Sequence, residues 1–383
     1  MTQRSGAVEA RYLRVPSTRG GNGFAINRSS KDILGKVDAV AFDCDGVLID
    51  ARRSYDATIR VVVETMVEEM AGVRLRLARV MPGLIATIRR TGGFNSDWDT
   101  SYALTLFSLV ALRQRKDGRG GKDGRGGKGV GVTEALTSIT SAFGSAPRVR
   151  GQEAVDSFLD SEFPSLKDGL DRSREFLGYP RSPPDGRMTT VFDELYFGAT
   201  LFEKIHGVPA KTRTKGLIEL ERLLVDRDTL ESLEKILGRA RLAMVTGRPY
   251  IGTEHSLGKR LMRYFDKDAS IFIGDADIDL DLRAEYDRYR KPSPEALIRA
   301  HEMLSSETLL YVGDSAEDIM MVQGARRRGL DGYLFAGVYE TSPVQADQAS
   351  FFEREGSDIV VETVNQVPSG LLMPTKSGRG REA

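Results

Sequence analysis

Residues 42–50 read FDCDGVLID. They close an apolar run, VDAVAF at 37–42, with the composition of a buried strand. Side chains alternate along a strand, so Asp43 and Asp45 leave on one side and Cys44 on the other. Two neighbouring carboxylates repel unless a cation lies between them. Open α/β sheets bind ligands outside the carboxyl ends of their strands, which is where this pair would stand. Asp45-Gly46 also suits an ordinary turn, and Cys44 reads as a small core residue.

Four more apolar runs read as strands: RLAMVTG (241–247), SIFIG (270–274), TLLYVG (308–313) and GYLFAGV (332–338). Strands alternating with helical patterns over 240–340 predict a doubly wound parallel sheet. About 190 residues separate the first strand from the others. That middle, 52–235, is mostly helical in pattern: TIRVVVETMVEEM, SYALTLFSLVALRQ, FDELYFGATLFEKIHG and LIELERLLVDRDTLESLEKILG. It predicts a helical domain inserted after the first strand.

Three later segments carry candidate chemistry. VTGRP ends the second strand, and the Thr246 hydroxyl could hold a phosphoryl oxygen or cap a helix. Gly247 and Arg248 follow it as further candidate substrate contacts. In RKPSPEAL, two prolines before a helical pattern fix the backbone around Lys291, which could neutralise phosphate and crowded carboxylates or remain solvated. GDSAEDI ends the fourth strand, with Asp314 at its tip and Asp318 about one helical turn on. Asp43, the backbone carbonyl of Asp45, and Asp314 would make an open, all-oxygen Mg²⁺ site.

In this order, the segments resemble the haloacid dehalogenase superfamily: DxDGV, a Thr after a strand, Lys-Pro, then GDxxxD. The likeness covers 37–50 and 240–340 well and the helical middle loosely. The insert resembles the helical type 1 cap of subfamily I, phosphoglycolate phosphatase-like members. Only 44 residues lie between Thr246 and Lys291, too few for the larger cap found there in other branches. The resemblance implies a Rossmann-like core with strand order 3-2-1-4-5, in 32–51 and 236–365, and a cap at 52–235.

The resemblance further implies a Mg²⁺-dependent phosphatase for a small phosphomonoester, phosphoglycolate-like or a sugar phosphate. Asp43 would be the nucleophile and Asp45 the acid and base. Thr246, Lys291 and backbone N–H groups near Gly46 would stabilise the phosphoryl group, with Gly247 and Arg248 beside the substrate. Asp43, Asp45, Asp314 and Asp318 would form the metal site, Asp318 also orienting Lys291, and the cap would exclude water and read the leaving group. Members that remove halide lack an acid at the position of Asp45. A phosphosugar mutase or a non-catalytic phosphate-binding protein are the competing readings.

A second Gly-Asp, Gly274-Asp275-Ala276-Asp277-Ile278-Asp279, precedes the Lys-Pro motif. Its strand would lie two places from the first, so Asp275 is expected to miss the metal. GGFNSDWDT (92–100) is either a loop facing the site or a capped helix start, and the helix start is the simpler reading.

Lys+Arg and Asp+Glu are both 55, so no bulk basic field exists for nucleic acid. The single cysteine, Cys44, excludes an internal disulfide framework and suggests a reducing cytoplasm. No run is long and apolar enough to span a membrane. Residues 1–31 lack a secretory pattern and are expected to be a loosely ordered extension. The repeated KDGRGGKDGRGGK within 116–131 is expected to be a flexible loop, and 366–383 a disordered tail. The expected partner is a small phosphorylated metabolite, for a monomer or homodimer.

Overall fold

The computed structural model describes residues 11–16, 22–89, 91, 94, 96–117, 131–145, 151–275, 287–330 and 332–372. The Gly-rich repeat at 118–130, Gly92, Gly93, Asn95, Asp277 and Asp279 lie outside the described residues. The chain divides into two compact units, Met1–Ala51 with Glu221–Ala383, and Arg52–Leu220.

The described strands are β1 (Tyr12–Val15), β2 (Phe24–Asn27), β3 (Ala39–Phe42), β4 (Ile49–Asp50), β5 (Arg222–Leu223), β6 (Leu242–Thr246), β7 (Ile271–Phe272), β8 (Leu309–Gly313), β9 (Tyr333–Val338) and β10 (Ile359–Val361). One sheet runs β1-β2-β10-β9-β8-β3-β6-β7, and β4-β5 form a separate ribbon. Pairing from β7 through to β10 is parallel throughout. Numbered by the five strands foreseen in the sequence, the order is 3-2-1-4-5. This is a doubly wound parallel sheet.

Every residue of β3, β6, β8 and β9 is buried. Interior strands of a parallel sheet are covered on both faces, so they appear as continuous apolar runs without polar alternation. The register places Phe42 level with Val312 on β8 and Met244 on β6. Asp43 and Asp314 therefore leave adjacent strands one step apart.

Three boundaries differ from the sequence reading. Residues 1–31 are not simply a loose extension, because β1 and β2 form an antiparallel hairpin and β2 pairs with β10. Buried Tyr12 donates its hydroxyl to the carbonyl of Ser357 at 2.7 Å. These four-residue strands carry Arg14 and Asn27 and lack a recognisable period; pairing with a distant strand sets them. At the other end, Val367–Leu371 is a helix with buried Val367 and Leu371, inside the stretch expected to be a disordered tail.

The third boundary is that of the insert. The helix Arg227–Leu237 belongs to the unit containing the sheet, not to the inserted helical domain. Asn365 holds its start, accepting from Asp226 N–H at 2.9 Å and from the Thr229 hydroxyl at 2.7 Å.

The second unit is helical, with Arg52–Ala71, Met81–Arg89, Asp97–Asp117, Val132–Gly144, Gly151–Glu162, Lys167–Leu177 and Arg187–His206. Residues 100–108 of Asp97–Asp117 are all buried, so this helix is covered on every side. The stretch ending at Thr100 starts that helix, as its simpler reading required. Asp97 pairs with Arg89 at 2.8 Å, and Asp99 accepts from the Tyr179 hydroxyl at 2.7 Å.

Candidate active site

The site is built on the carboxyl ends of β3, β6 and β8. After β3 the chain turns sharply, and the Cys44 carbonyl accepts from the N–H groups of Leu48 at 2.8 Å and Ile49 at 3.0 Å. Gly46 has φ +76, and a Cβ there would lie 1.9 Å from Asp314 Oδ2. Only glycine meets both conditions. Its N–H donates to the Ile49 carbonyl at 2.8 Å. The expectation that this N–H would contact a phosphoryl group is therefore corrected: it is already engaged in the turn.

Asp43 Oδ1 accepts from the Cys44 N–H at 2.7 Å and stands 3.0 Å from Lys291 Nζ. Lys291 also donates to Asp318 Oδ1 at 2.7 Å, and its side chain is 10% exposed. Burial alone would push the Lys291 ammonium down, but Asp318 and Asp43 outweigh it and hold it well above the ordinary lysine range. The Lys291-Pro292 peptide is cis.

Asp318 is 0% exposed and accepts on both oxygens. Oδ1 takes Lys291 and the Tyr311 hydroxyl; Oδ2 takes Asp314 N–H at 3.1 Å, Ser315 N–H at 3.0 Å and Ser315 Oγ at 2.7 Å. Ser315 in turn caps the helix Ala316–Arg327, completing a capping box. Asp314 Oδ2 is approached by the Thr341 hydroxyl at 3.4 Å.

Asp43, Asp314 and Asp318 each bring one oxygen to within 4.8 Å of the others. Burial, then mutual repulsion, pushes Asp314 well above the usual carboxylate range. Asp43 is raised by burial against the pull of Lys291. A hard divalent cation suits this all-oxygen set and relieves its repulsion. Asp318, already satisfied by five donors, serves chiefly to hold Lys291 and the turn, leaving Asp43 and Asp314 as the more open carboxylates.

Asp45 faces a different environment. Its Oδ1 accepts from Arg248 NH1 at 2.7 Å. Arg248, 1% exposed, also donates through NH2 to Glu221 Oε2 at 2.9 Å and to Ser256 Oγ at 3.3 Å. The Asp45 carboxylate lies outside the three-acid cluster and does not join it as the metal-ligand expectation had it. The expected substrate contact by Arg248 is corrected too: the guanidinium is buried between Asp45 and Glu221. Burial pushes Asp45 up to about 7, Arg248 opposing and Glu221 and Asp43 adding. The side chain is 37% exposed, and solvent screening tempers that shift.

Thr246 ends β6, and its hydroxyl oxygen accepts from the Arg248 N–H at 3.3 Å while keeping its own proton to donate. Gly247 has open space where a side chain would stand. Asp275 lies beyond β7, two strands from β3, and accepts from Tyr250 N–H at 2.8 Å. The metal-competent cluster among the described residues does not include it.

Sequence reading missed Glu221, Ser256 and Tyr311. Glu221 and Ser256 stand in no motif. Tyr311 is visible in TLLYVG only as a strand residue, yet its one hydroxyl proton is shared between the Val245 carbonyl at 2.9 Å and Asp318 Oδ1 at 3.3 Å, and its ring lies 5.5 Å from Lys291 Nζ.

No family model matches the sequence, and no curated protein sequence matches it. Among solved structures, phosphatase Tt82 from Thermococcus thioreducens is similar, at 24% identity over 77% of this chain and 90% of that chain, with a TM-score of 0.47. A haloacid dehalogenase-like hydrolase from Bacteroides fragilis is similar at 15% identity, over 87% of this chain and 100% of that chain, with a TM-score of 0.39. Both superpositions are loose. The 3-2-1-4-5 order, with Asp43, Lys291, Asp314 and Asp318 gathered at one end of the sheet, is consistent with the Rossmann-like core that the motif resemblance implied.

Proposed function

We propose that the protein is a Mg²⁺-dependent phosphatase for a small phosphomonoester metabolite, acting through an aspartyl-phosphate at Asp43. The observation that carries this reading is the buried group at the end of β3 and β8, with Lys291 between Asp43 and Asp318 and Asp314 beside them. Mg²⁺ held by Asp43, Asp314 and the Asp45 carbonyl would neutralise charge on the phosphoryl oxygens.

Asp43 Oδ1 is held by Lys291 and the Cys44 N–H, which leaves Oδ2 for attack on phosphorus. A bond forms from Oδ2 to phosphorus, the ester P–O bond breaks, and Asp45 gives its proton to the departing oxygen. Asp45, now ionised, takes a proton from water as that water attacks phosphorus, releasing phosphate and restoring Asp43. An acid pushed up to about 7 can do both at neutral pH. Lys291 and the Thr246 hydroxyl stabilise the transferring phosphoryl group, since such chemistry depends on positioning and electrostatics.

Phosphate release from a panel of small phosphomonoesters, with Mg²⁺ or EDTA, tests this using the wild type and Asp43→Asn. Turnover that requires Mg²⁺ and falls by at least about 10³-fold in D43N is expected. An isomerised sugar phosphate without free phosphate would mean a mutase. Release unaffected by D43N would refute the nucleophile.

A further inference from the structure

Arg248 is among the largest fully buried side chains in the protein. A buried guanidinium needs a countercharge, and removing one strands an ion. Asp45 is a poor countercharge because 37% of its side chain is exposed and its attraction is screened. The Glu221 side chain is 3% exposed and lies 2.9 Å from Arg248 NH2. Ser256 Oγ donates to Glu221 Oε2 and so fixes the oxygen that faces Arg248. The guanidinium is pinned on its NH2 side and offers NH1 to Asp45 Oδ1 at 2.7 Å. Asp45 Oδ2 has no hydrogen-bond partner among the described residues.

These contacts form one chain: Ser256, Glu221, Arg248, Asp45. Its last member is the group that must be aligned as the ester bond breaks. An acid that transfers a proton in the transition state contributes only while it is held in reach. We propose that Glu221 is a positioning residue which, through Arg248, holds Asp45 in the orientation that delivers a proton to the leaving oxygen. The role rests on the phosphatase reading above. It also accounts for an arginine in VTGRP that faces away from solvent, and for a buried glutamate that belongs to no motif.

Leaving-group dependence separates this role from general support of the fold. An alkyl phosphomonoester needs its departing oxygen protonated, whereas nitrophenolate leaves p-nitrophenyl phosphate largely unassisted. The Mg²⁺-loaded full-length wild type, Glu221→Ala and Glu221→Gln are compared by kcat/KM on phosphoglycolate and on p-nitrophenyl phosphate. This parameter covers the steps through leaving-group departure.

The expected result is that E221A loses at least about tenfold more on phosphoglycolate than on p-nitrophenyl phosphate. E221Q, which keeps an acceptor for Arg248, should fall between E221A and the wild type. Should E221A fail to fold, the near-isosteric E221Q carries the same comparison with a smaller ratio. Equal losses on both esters, or no loss on either, overturn the role while leaving the phosphatase reading intact. Wild type that hydrolyses neither ester overturns both.

Discussion

The two acids of GDSAEDI should respond in opposite directions to the same neutralisation. Asp318→Asn removes a buried carboxylate that accepts from Lys291, Tyr311, Asp314 N–H, Ser315 N–H and Ser315 Oγ. An amide can accept on only one side, so its NH2 must face either the Lys291 ammonium or the N–H pair of the turn. Losing the charge relieves repulsion of about 3 kcal/mol from each acid within 4.8 Å, at an effective dielectric near 20. The same loss forfeits about 6 kcal/mol of attraction to Lys291 at 2.7 Å, together with the hydrogen bonds. Relief from two acids and loss of the Lys291 attraction nearly cancel, so the forfeited hydrogen bonds and the stranded donors set the net expectation, a destabilisation of about 3 kcal/mol.

Asp314→Asn removes a carboxylate whose one described side-chain partner is the Thr341 hydroxyl at 3.4 Å. There the repulsion and the burial of charge dominate, so the Mg²⁺-free protein should become more stable, by about 1 kcal/mol or more. Denaturant unfolding of both variants in EDTA reads the two signs directly. Stabilisation by Mg²⁺, expected of the wild type, should vanish in D314N. If D318N unfolds within about 1 kcal/mol of wild type, or D314N is the less stable of the two, the division of labour between these acids is refuted.

Further outcomes follow from the same geometry. Asp275 is pushed up to about 6 by burial, with the Tyr250 N–H pulling the other way. A raised carboxyl pKa destabilises the fold as pH rises from about 4, the unfolded value, to about 6, and the effect is constant above that. Asp275→Asn should therefore match wild type at pH 4 and exceed it by about 1 kcal/mol at pH 8, after allowing for partial solvation. Turnover should not change; loss of Mg²⁺-dependent activity in D275N would restore this acid to the site. Gly46→Ala places a Cβ 1.9 Å from Asp314 Oδ2 at φ +76. It should lose at least about 2 kcal/mol of stability and most activity, and a near-wild-type G46A would contradict the close approach.

Much of the core was legible because its signals are local. An apolar run followed by Asp43 and Asp45, another followed by Thr246, and a third followed by Asp314 each report a strand end within ten residues of sequence. The family resemblance they carry implied which strands should neighbour one another, and β3 between β6 and β8 agrees. The roles of Arg248 and Gly46 were misread because each residue has the right type for a phosphate contact. Arg248 is turned inward by Glu221, and the Gly46 N–H is taken by Ile49.

The sequence by itself determined the kinds of groups available and the strand ends that carry them, because those depend on neighbours along the chain. The choice between the two Gly-Asp segments was expected from the family resemblance, and the tertiary structure supplies its physical reason. β8 lies against β3 and brings Asp314 beside Asp43, whereas β7 stands on the far side of β6 and keeps Asp275 away. Only the tertiary structure decided the N-terminal hairpin on β10 and the pairing of Glu221 with Arg248. These contacts join residues 27 or more positions apart, and a partner that distant leaves no period or composition near either residue to announce it.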